Sequence, residues 1–384
     1  MIRVNEPLIG QDEFNKVAAG LKSNWISSQG RYISEFEETF ARFCGLKYGI
    51  STTNGTTALH LALAAVGVGP GDEVLLPSFT MVATAFAVAY CGARPVFIDS
   101  EPENFNIDLE RVSTYLQTQE KRGKVKVKVI LPVHMYGHPV DMDPLLALAD
   151  KYALTVIEDA AEAHGAEYKG KRCGSFGAFG CFSFYANKII TTGEGGMVVT
   201  DDPALADKAR RLKDLAHAPG KRFLHTELGF NYRMTNLQAA LGVAQLKKIN
   251  THIKKKRWIA REYINGLKKI PGLILPKEQP WAKSVYWMFG VLVEPGFGLD
   301  RDRLMQELSI RGIETRSFFI PMHRQPVFER GKKNSRHYGP YPVAEAISEQ
   351  GFYLPSGLTI SQDQIRYICQ QIEDIYQSQR EQAE

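Results

Sequence analysis

Along this chain of 384 residues the period of the hydrophobic positions switches back and forth. Short, largely apolar runs, EVLLP (73–77), RPVFID (94–99), KVKVILPVH (126–134) and LTVIED (154–159), alternate with longer stretches, and YGIST (48–52) is a further short strand candidate. In those stretches, such as TNGTTALHLALAAVGVG, TMVATAFAVAYCG, LERVSTYLQTQEKRG (109–123) and DPLLALADKY (143–152), apolar residues recur at helical spacing. A strand with one wet face alternates apolar and polar residues, so unbroken runs indicate strands covered on both faces. Strand–helix alternation of this kind predicts an α/β fold with a doubly wound, mostly parallel sheet. CFSFY (181–185) and GMVVTD (196–201) add two strands, and PALADKARRLKDL a helix. Upstream, QDEFNKVAAGLK (11–22) and SEFEETFARFCG read as helices, the second with Ser34 and Glu37 at capping-box spacing.

From Met234 to about Ile270 the pattern is helical, and Pro271 ends it. Beyond lie a strand in YWMFGVLVE, a helix in DRLMQELSIRG, strand-like IETRSFFIP and a last helix in QDQIRYICQQIEDIYQ. We expect a large domain over 1–250 and a smaller C-terminal α+β domain over 251–384, a division that suits a chain too long for one small core.

Composition removes several function classes. The net charge of +5 admits an anionic substrate without requiring one. Basic runs at 121–129, 247–257 and 329–337 lack the interleaved aromatics of a single-strand binder and read as solvated faces, so no nucleic-acid partner is expected. The five cysteines form no CxxC, which fits reduced thiols and neither a disulfide framework nor a metal site. No apolar stretch reaches spanning length and the N-terminus has no apolar signal core, so a cytoplasmic protein with no membrane partner is expected.

The candidate chemistry lies in EDAAEAHGAEYKGKRCGSFGAFGCFSFYANKIITTGEGGM, residues 158–197. Asp159 ends a strand, at the carboxyl edge where open α/β sheets bind ligands. A carboxylate there could hold the protonated nitrogen of a pyridine ring, or simply cap a following helix. Lys188 sits between an aromatic strand and a glycine-rich turn, where desolvation would free its amine as a nucleophile; a solvated lysine is the plainer reading. Asn54-Gly55-Thr56-Thr57 opens a helix, a place for an anion or for an ordinary cap, and Ser183 could add a hydroxyl. Together these suggest pyridoxal 5′-phosphate (PLP). An NAD-dependent sugar-nucleotide enzyme is disfavoured, because no GxGxxG opens the first strand–helix turn.

The motifs TTNGTTALHLAL, PSFTMVATA, VIEDAAEAHGA, GSFGAFGCFSFYANKIITTGEGGMVVTDD, GFNYRMTNLQAALGVAQL and FIPMHRQP, in this order over nearly the whole chain, resemble the DegT/DnrJ/EryC1/StrS family. The resemblance implies a PLP-dependent transferase of the aspartate-aminotransferase-like type I fold, a homodimer with shared active sites, and transamination of a nucleotide-diphospho keto-sugar. It implies Lys188 as the lysine that carries the cofactor and Asp159 as partner of the ring nitrogen. Glu162 would lie near the ring hydroxyl, where relatives often have Gln, and Met81 would lie over the ring, where many have an aromatic. Gly55, Thr56 and Ser183 would hold the phosphate, with Asn231 reaching the neighbouring subunit's cofactor. Arg316 and His323 would approach the sugar nucleotide. Some relatives carry histidine in place of the lysine and dehydrate their substrates, so Lys188 argues for transamination. NWISSQGRYI, PSFTMVATAF, MYGHPVDMD and FSFYANKIITTGEGGM are most similar to members that aminate C4 of GDP-4-keto-6-deoxy-D-mannose with L-glutamate as donor. A UDP- or dTDP-linked sugar, amination at C3, and a non-catalytic regulator remain the alternatives.

Overall fold

The computed structural model describes residues 1–123, 125–329 and 336–383. Its centre is an eight-stranded sheet. In chain order the strands are β1 (Tyr48–Thr52), β2 (Glu73–Pro77), β3 (Arg94–Ile98), β4 (Val127–Ile130), β5 (Thr155–Asp159), β6 (Phe179–Ser183), β7 (Gly196–Thr200) and β8 (Arg336–His337). Across the sheet they run β1-β7-β6-β5-β4-β2-β3-β8, and β7 alone is antiparallel to its neighbours. β2, β6 and β7 are buried along their whole length, as their largely apolar sequences require. The apolar helices Gly55–Ala65 and Val82–Tyr90 follow β1 and β2. The carboxyl ends of β1, β2, β4, β5 and β6 therefore open on one edge of the sheet, where such folds place their ligands.

Strand boundaries differ from the sequence reading by a few residues. β6 starts two residues before CFSFY, and β4 stops at Ile130 because the chain bends at Pro132 toward a 3₁₀ turn at Met135–Gly137. IETRSFFIP contributes only Arg316–Ser317 as strand. The Ser34–Glu37 capping box does not form, because that helix begins at Arg31. Glu37 instead accepts hydrogen bonds from the Ser51 N–H, the Ser51 hydroxyl and Lys213. The cap comes from far away in sequence: Asn236 Oδ1 accepts the Tyr32 N–H at 3.0 Å.

A second core gathers Ile259, Tyr263, Phe289, Val291, Leu304, Leu308, Phe352, Ile368 and Ile372 around a four-stranded sheet. The expected boundary at 250/251 falls inside the helix Ile249–Leu267, at its start. Phe318, Met322, Phe328, Tyr341 and Tyr353 return to the first core. Part of the basic run at 247–257 is internally paired, Lys248 with Asp12 and Glu13 and Arg257 with Glu278. Of the run at 329–337 only Glu329, Arg336 and His337 lie among the described residues, and Lys124 of the run at 121–129 lies outside them. No helix among the described residues is long and apolar enough to cross a membrane.

Candidate active site

Side chains alternate faces along a strand, so the adjacent acids that end β5 point opposite ways. Glu158 is fully buried behind the sheet edge. Its Oε2 accepts from the Gly174 N–H at 2.6 Å and from His134 Nε2 at 3.0 Å; its Oε1 accepts from Phe176 N–H at 2.6 Å and Gly177 N–H at 2.9 Å. The Val140 N–H donates to His134 Nδ1, which leaves the ring proton on Nε2 to face Glu158. Glu158 thus pins the 174–177 loop and has no capacity left for a ligand.

Asp159 faces the cleft. Thr84 donates its hydroxyl to Oδ2 at 2.8 Å, and the Ala161 N–H donates to Oδ1 at 3.2 Å. No helix follows, only turns over 160–166, so the capping role does not account for this residue. Burial pushes its pKa above the usual carboxylate range, against the Thr84 bond, which works the other way. A cation brought to this carboxylate would meet a group that ionises readily in its company.

β6 leads into a loop closed by Phe184 and Gly195, whose N–H and C=O pair at 2.8 Å, and this loop carries Lys188. The Lys188 side chain is only 10% exposed, with Nζ 4.0 Å from Glu162 Oε1 and 3.7 Å from the centre of the Trp287 ring. Burial lowers its pKa, while Glu162 and Asp159 work in the opposite direction. Glu162, held by the Tyr136 N–H at 2.7 Å, is pushed up by burial and held down in part by Lys188.

Across the cleft the helix Gly55–Ala65 begins. Asn54 caps it by accepting the Thr57 N–H at 2.9 Å, and the Thr57 hydroxyl accepts the Asn54 N–H at 3.1 Å. The cap uses Asn54 and Thr57, and the N–H groups of Gly55 and Thr56 have no partner among the described residues. A Cβ on Gly55 would lie 2.7 Å from Ser183 Cβ, so only glycine leaves this corner open. Met81 is half exposed at the cleft mouth, where its sulfur accepts the Ala83 N–H.

The cleft encloses about 400 Å³. It brings together Gly55, Thr56, Met81, Asp159, Glu162, Ser183 and Lys188, all singled out from the sequence. Two others lie elsewhere in this chain. Arg316 is exposed and pairs with Glu314, and His323 is enclosed between Ser78 Oγ at 2.7 Å, Glu345 Oε1 at 3.0 Å and the stacked ring of Tyr341. Neither lines the cleft; Phe319, between them in sequence, does. Buried partners outbid the cleft for His323, as they do for most sequestered polar groups. Asn231 is exposed and also lies outside the cleft of its own chain. The sequence reading missed Thr84 and Trp287, which line the cleft, and Tyr136. Thr84 was detectable as the one threonine in an alanine-rich helix; Trp287 sits 99 residues from Lys188 and gave no local signal.

A lysine, a buried carboxylate and an open helix start converge here on a space for one small ligand. The family model for DegT/DnrJ/EryC1/StrS aminotransferases matches residues 7–373. The chain belongs to this family. It is 43% identical to the GDP-perosamine synthase of Caulobacter vibrioides, over 93% of this chain and 94% of that one. It is 40% identical to the GDP-perosamine synthase of Escherichia coli O157:H7, over 98% of both. Among solved structures it is similar to the aminotransferase from Psychrobacter cryohalolentis, with a TM-score of 0.88 and 34% identity over 97% of this chain and 98% of that one. As a family aminotransferase, the chain has in Lys188 an amine shielded from water and in Asp159 a fixed buried carboxylate. The pair has the parts needed to stabilise a cationic ring and to move a proton.

Proposed function

We propose that this enzyme transfers the amino group of L-glutamate to C4 of GDP-4-keto-6-deoxy-D-mannose, giving GDP-perosamine, with PLP as cofactor. The observation that carries the substrate is the likeness, over nearly the full length, to two GDP-perosamine synthases.

The cleft residues fit PLP. The corner beside Gly55 is open because residue 55 carries no Cβ, which would collide with Ser183, and it presents the free N–H groups of a helix start, a donor set suited to phosphate. Gly55, Thr56 and Ser183 would hold that phosphate, Asp159 the pyridine nitrogen, Glu162 the hydroxyl edge and Lys188 the aldehyde carbon, with Met81 over the ring. When bound, PLP supplies an electron sink for the carbon that carries the nitrogen. Asp159, fixed by Thr84 and Ala161, would keep the ring nitrogen protonated. Lys188 Nζ would take the proton from the carbon bearing the donor's amino group and return it on the far side of the transfer, as base and then acid. The low exposure of Lys188 and Glu162 keeps water from competing for that proton.

The exposed Asn231 supports a homodimer in which it reaches the partner subunit's cofactor phosphate. Five free cysteines support a reducing compartment, the cytoplasm. The test is an assay with glutamate and a panel of GDP-, UDP- and dTDP-linked keto-sugars, with the position of the new amine fixed by NMR. Turnover confined to a UDP or dTDP sugar, or an amine at C3, would overturn the substrate and leave the family standing.

A further inference from the structure

Lys188 is held by more than its own loop. The Asn187 carbonyl accepts two hydrogen bonds, both at 2.8 Å, from Trp287 Nε1 and from Asn5 Nδ2. These donors arrive from opposite parts of the chain, one beside the strand Phe289–Val293 and one from the N-terminal segment. That segment is itself fixed at both ends: the Ser356 N–H donates to the Val4 carbonyl at 2.9 Å, and Gln245 Nε2 donates to the Leu8 carbonyl at 3.0 Å. The Trp287 N–H donates to the Tyr136 carbonyl at 2.9 Å, and the Tyr136 N–H donates to Glu162. Glu162 lies 4.0 Å from Lys188 Nζ, which lies 3.7 Å from the centre of the Trp287 ring. The contacts close on themselves: Trp287 to Tyr136, Tyr136 to Glu162, Glu162 to Lys188, Lys188 back to Trp287. Gly137 allows the close approach, because with φ at +90° a Cβ there would sit 2.5 Å from Val285 Cγ2 and 3.0 Å from the Glu162 carbonyl.

We propose that Trp287 and Asn5 are positioning residues for Lys188, their side-chain N–H groups gripping the Asn187 carbonyl while the indole face seats the Lys188 amine beside Glu162. Trp287 has two separable functions. Its N–H restrains the backbone next to the lysine, and its ring offers a negative face to the ammonium form. The other charged or titratable groups around Lys188 are Asp159, Glu162, Tyr185 and Glu194 on its cleft side, His164 behind it, and Lys256 and Glu6 across the small cavity beneath. Neither Trp287 nor Asn5 titrates, so replacing them changes the setting of the amine without adding or removing a charge. The inference rests on Lys188 as the cofactor lysine only for its meaning in catalysis; the clamp itself can be tested without cofactor.

The test uses the full-length protein freed of cofactor. Competitive acetylation across a pH series, read at Lys188 by peptide mass spectrometry, gives the titration of that one amine. Trp287→Leu removes the ring face, and we expect the half-reaction pH to fall by about one unit. Trp287→Phe keeps a ring face and should titrate near the wild type. Both Trp287→Phe and Asn5→Ala lose one donor to Asn187, and amide exchange of the 186–190 segment should quicken several-fold, on the order of tenfold. A merely structural tryptophan would lower the melting temperature and leave the Lys188 titration where it was. That result, or exchange unchanged in both single-donor variants, overturns the clamp. Borohydride reduction of the wild type with PLP added, read by peptide mass spectrometry, tests the underlying reading separately: a pyridoxyl adduct at Lys188 supports it, and an adduct confined to other lysines refutes it whatever the labelling shows.

Discussion

Replacing Glu158 with glutamine tests the division of labour between two neighbouring acids. The carboxylate receives four donors, three backbone N–H groups and His134 Nε2, shared two to each oxygen. A glutamine has one carbonyl oxygen and can serve two of them. Its NH₂ then faces either Gly174 N–H and His134 or Phe176 and Gly177 N–H, so each orientation sets donors against donors. His134 cannot adapt by moving its proton, because Nδ1 already accepts from Val140. A hydrogen bond to a charged group contributes about 1.5–3 kcal/mol, so two lost bonds cost about 3–6 kcal/mol. That is a large share of the roughly 5–15 kcal/mol that holds a folded protein. Urea unfolding of Glu158→Gln, followed by far-UV circular dichroism, should show a midpoint moved far down or a protein already partly unfolded without urea. Adding the cofactor should not rescue the 174–177 loop, since Glu158 does not face the cleft. A variant within about 1 kcal/mol of the wild type would refute the claim that these four donors depend on the charge.

The remaining predictions follow from the same contacts. Asp159→Asn retains an oxygen for Thr84 and sets its NH₂ against the one Ala161 N–H, a cost offset by removing a charge that burial disfavours, so it should still fold and should transaminate at least a hundredfold more slowly, on the order expected for a lost catalytic group; single-turnover kinetics measure it. Asn236→Ala removes the acceptor for the Tyr32 N–H and the donor to the Trp25 carbonyl, and should lower stability by about 1–2 kcal/mol without changing KM for glutamate. Lys256 is buried with its Nζ on the Ser356 carbonyl, and burial lowers its pKa to about 7. Since its folded value lies below the unfolded value of about 10.4, the unfolded chain binds the extra proton between these limits and this residue's contribution to stability rises with pH across that window. The urea midpoint of the wild type should therefore rise relative to that of Lys256→Met from pH 7 to pH 9.5, and a constant difference would refute the assignment. Gly55→Val should abolish PLP binding measured by equilibrium dialysis, because its Cβ would stand against Ser183.

Periodicity carried much of the architecture. β1 and β2 lie at the bounds their short strand-like segments gave, because burial on both faces keeps nearly every residue of each inside the core. Boundaries slipped where a turn competed: β4 ends before Pro132, and the helix at Arg31 starts before the Ser34 signal because a distant side chain caps it. The site was legible to the extent that its residues end strands or begin helices. Asp159, Ser183 and Gly55 do so, and the parallel sheet brings those ends to one edge.

The local pattern of residues was enough for the order of strands and helices, and for their ends to within a few residues. Both depend on local burial and backbone chemistry, which act over a few residues. It also set Glu158 and Asp159 on opposite faces, because neighbouring strand residues must alternate. Only the tertiary structure decided which of the two faces the cleft, since that depends on which side the 174–177 loop and the helix carrying Thr84 pack. It alone set Trp287 and Asn5 on the Asn187 carbonyl, 100 and 182 residues away, and withdrew His323 into contact with Ser78 across 245 residues. Contacts at such separations come from sheet order and from the packing of the second core against the first. No period in the chain encodes them.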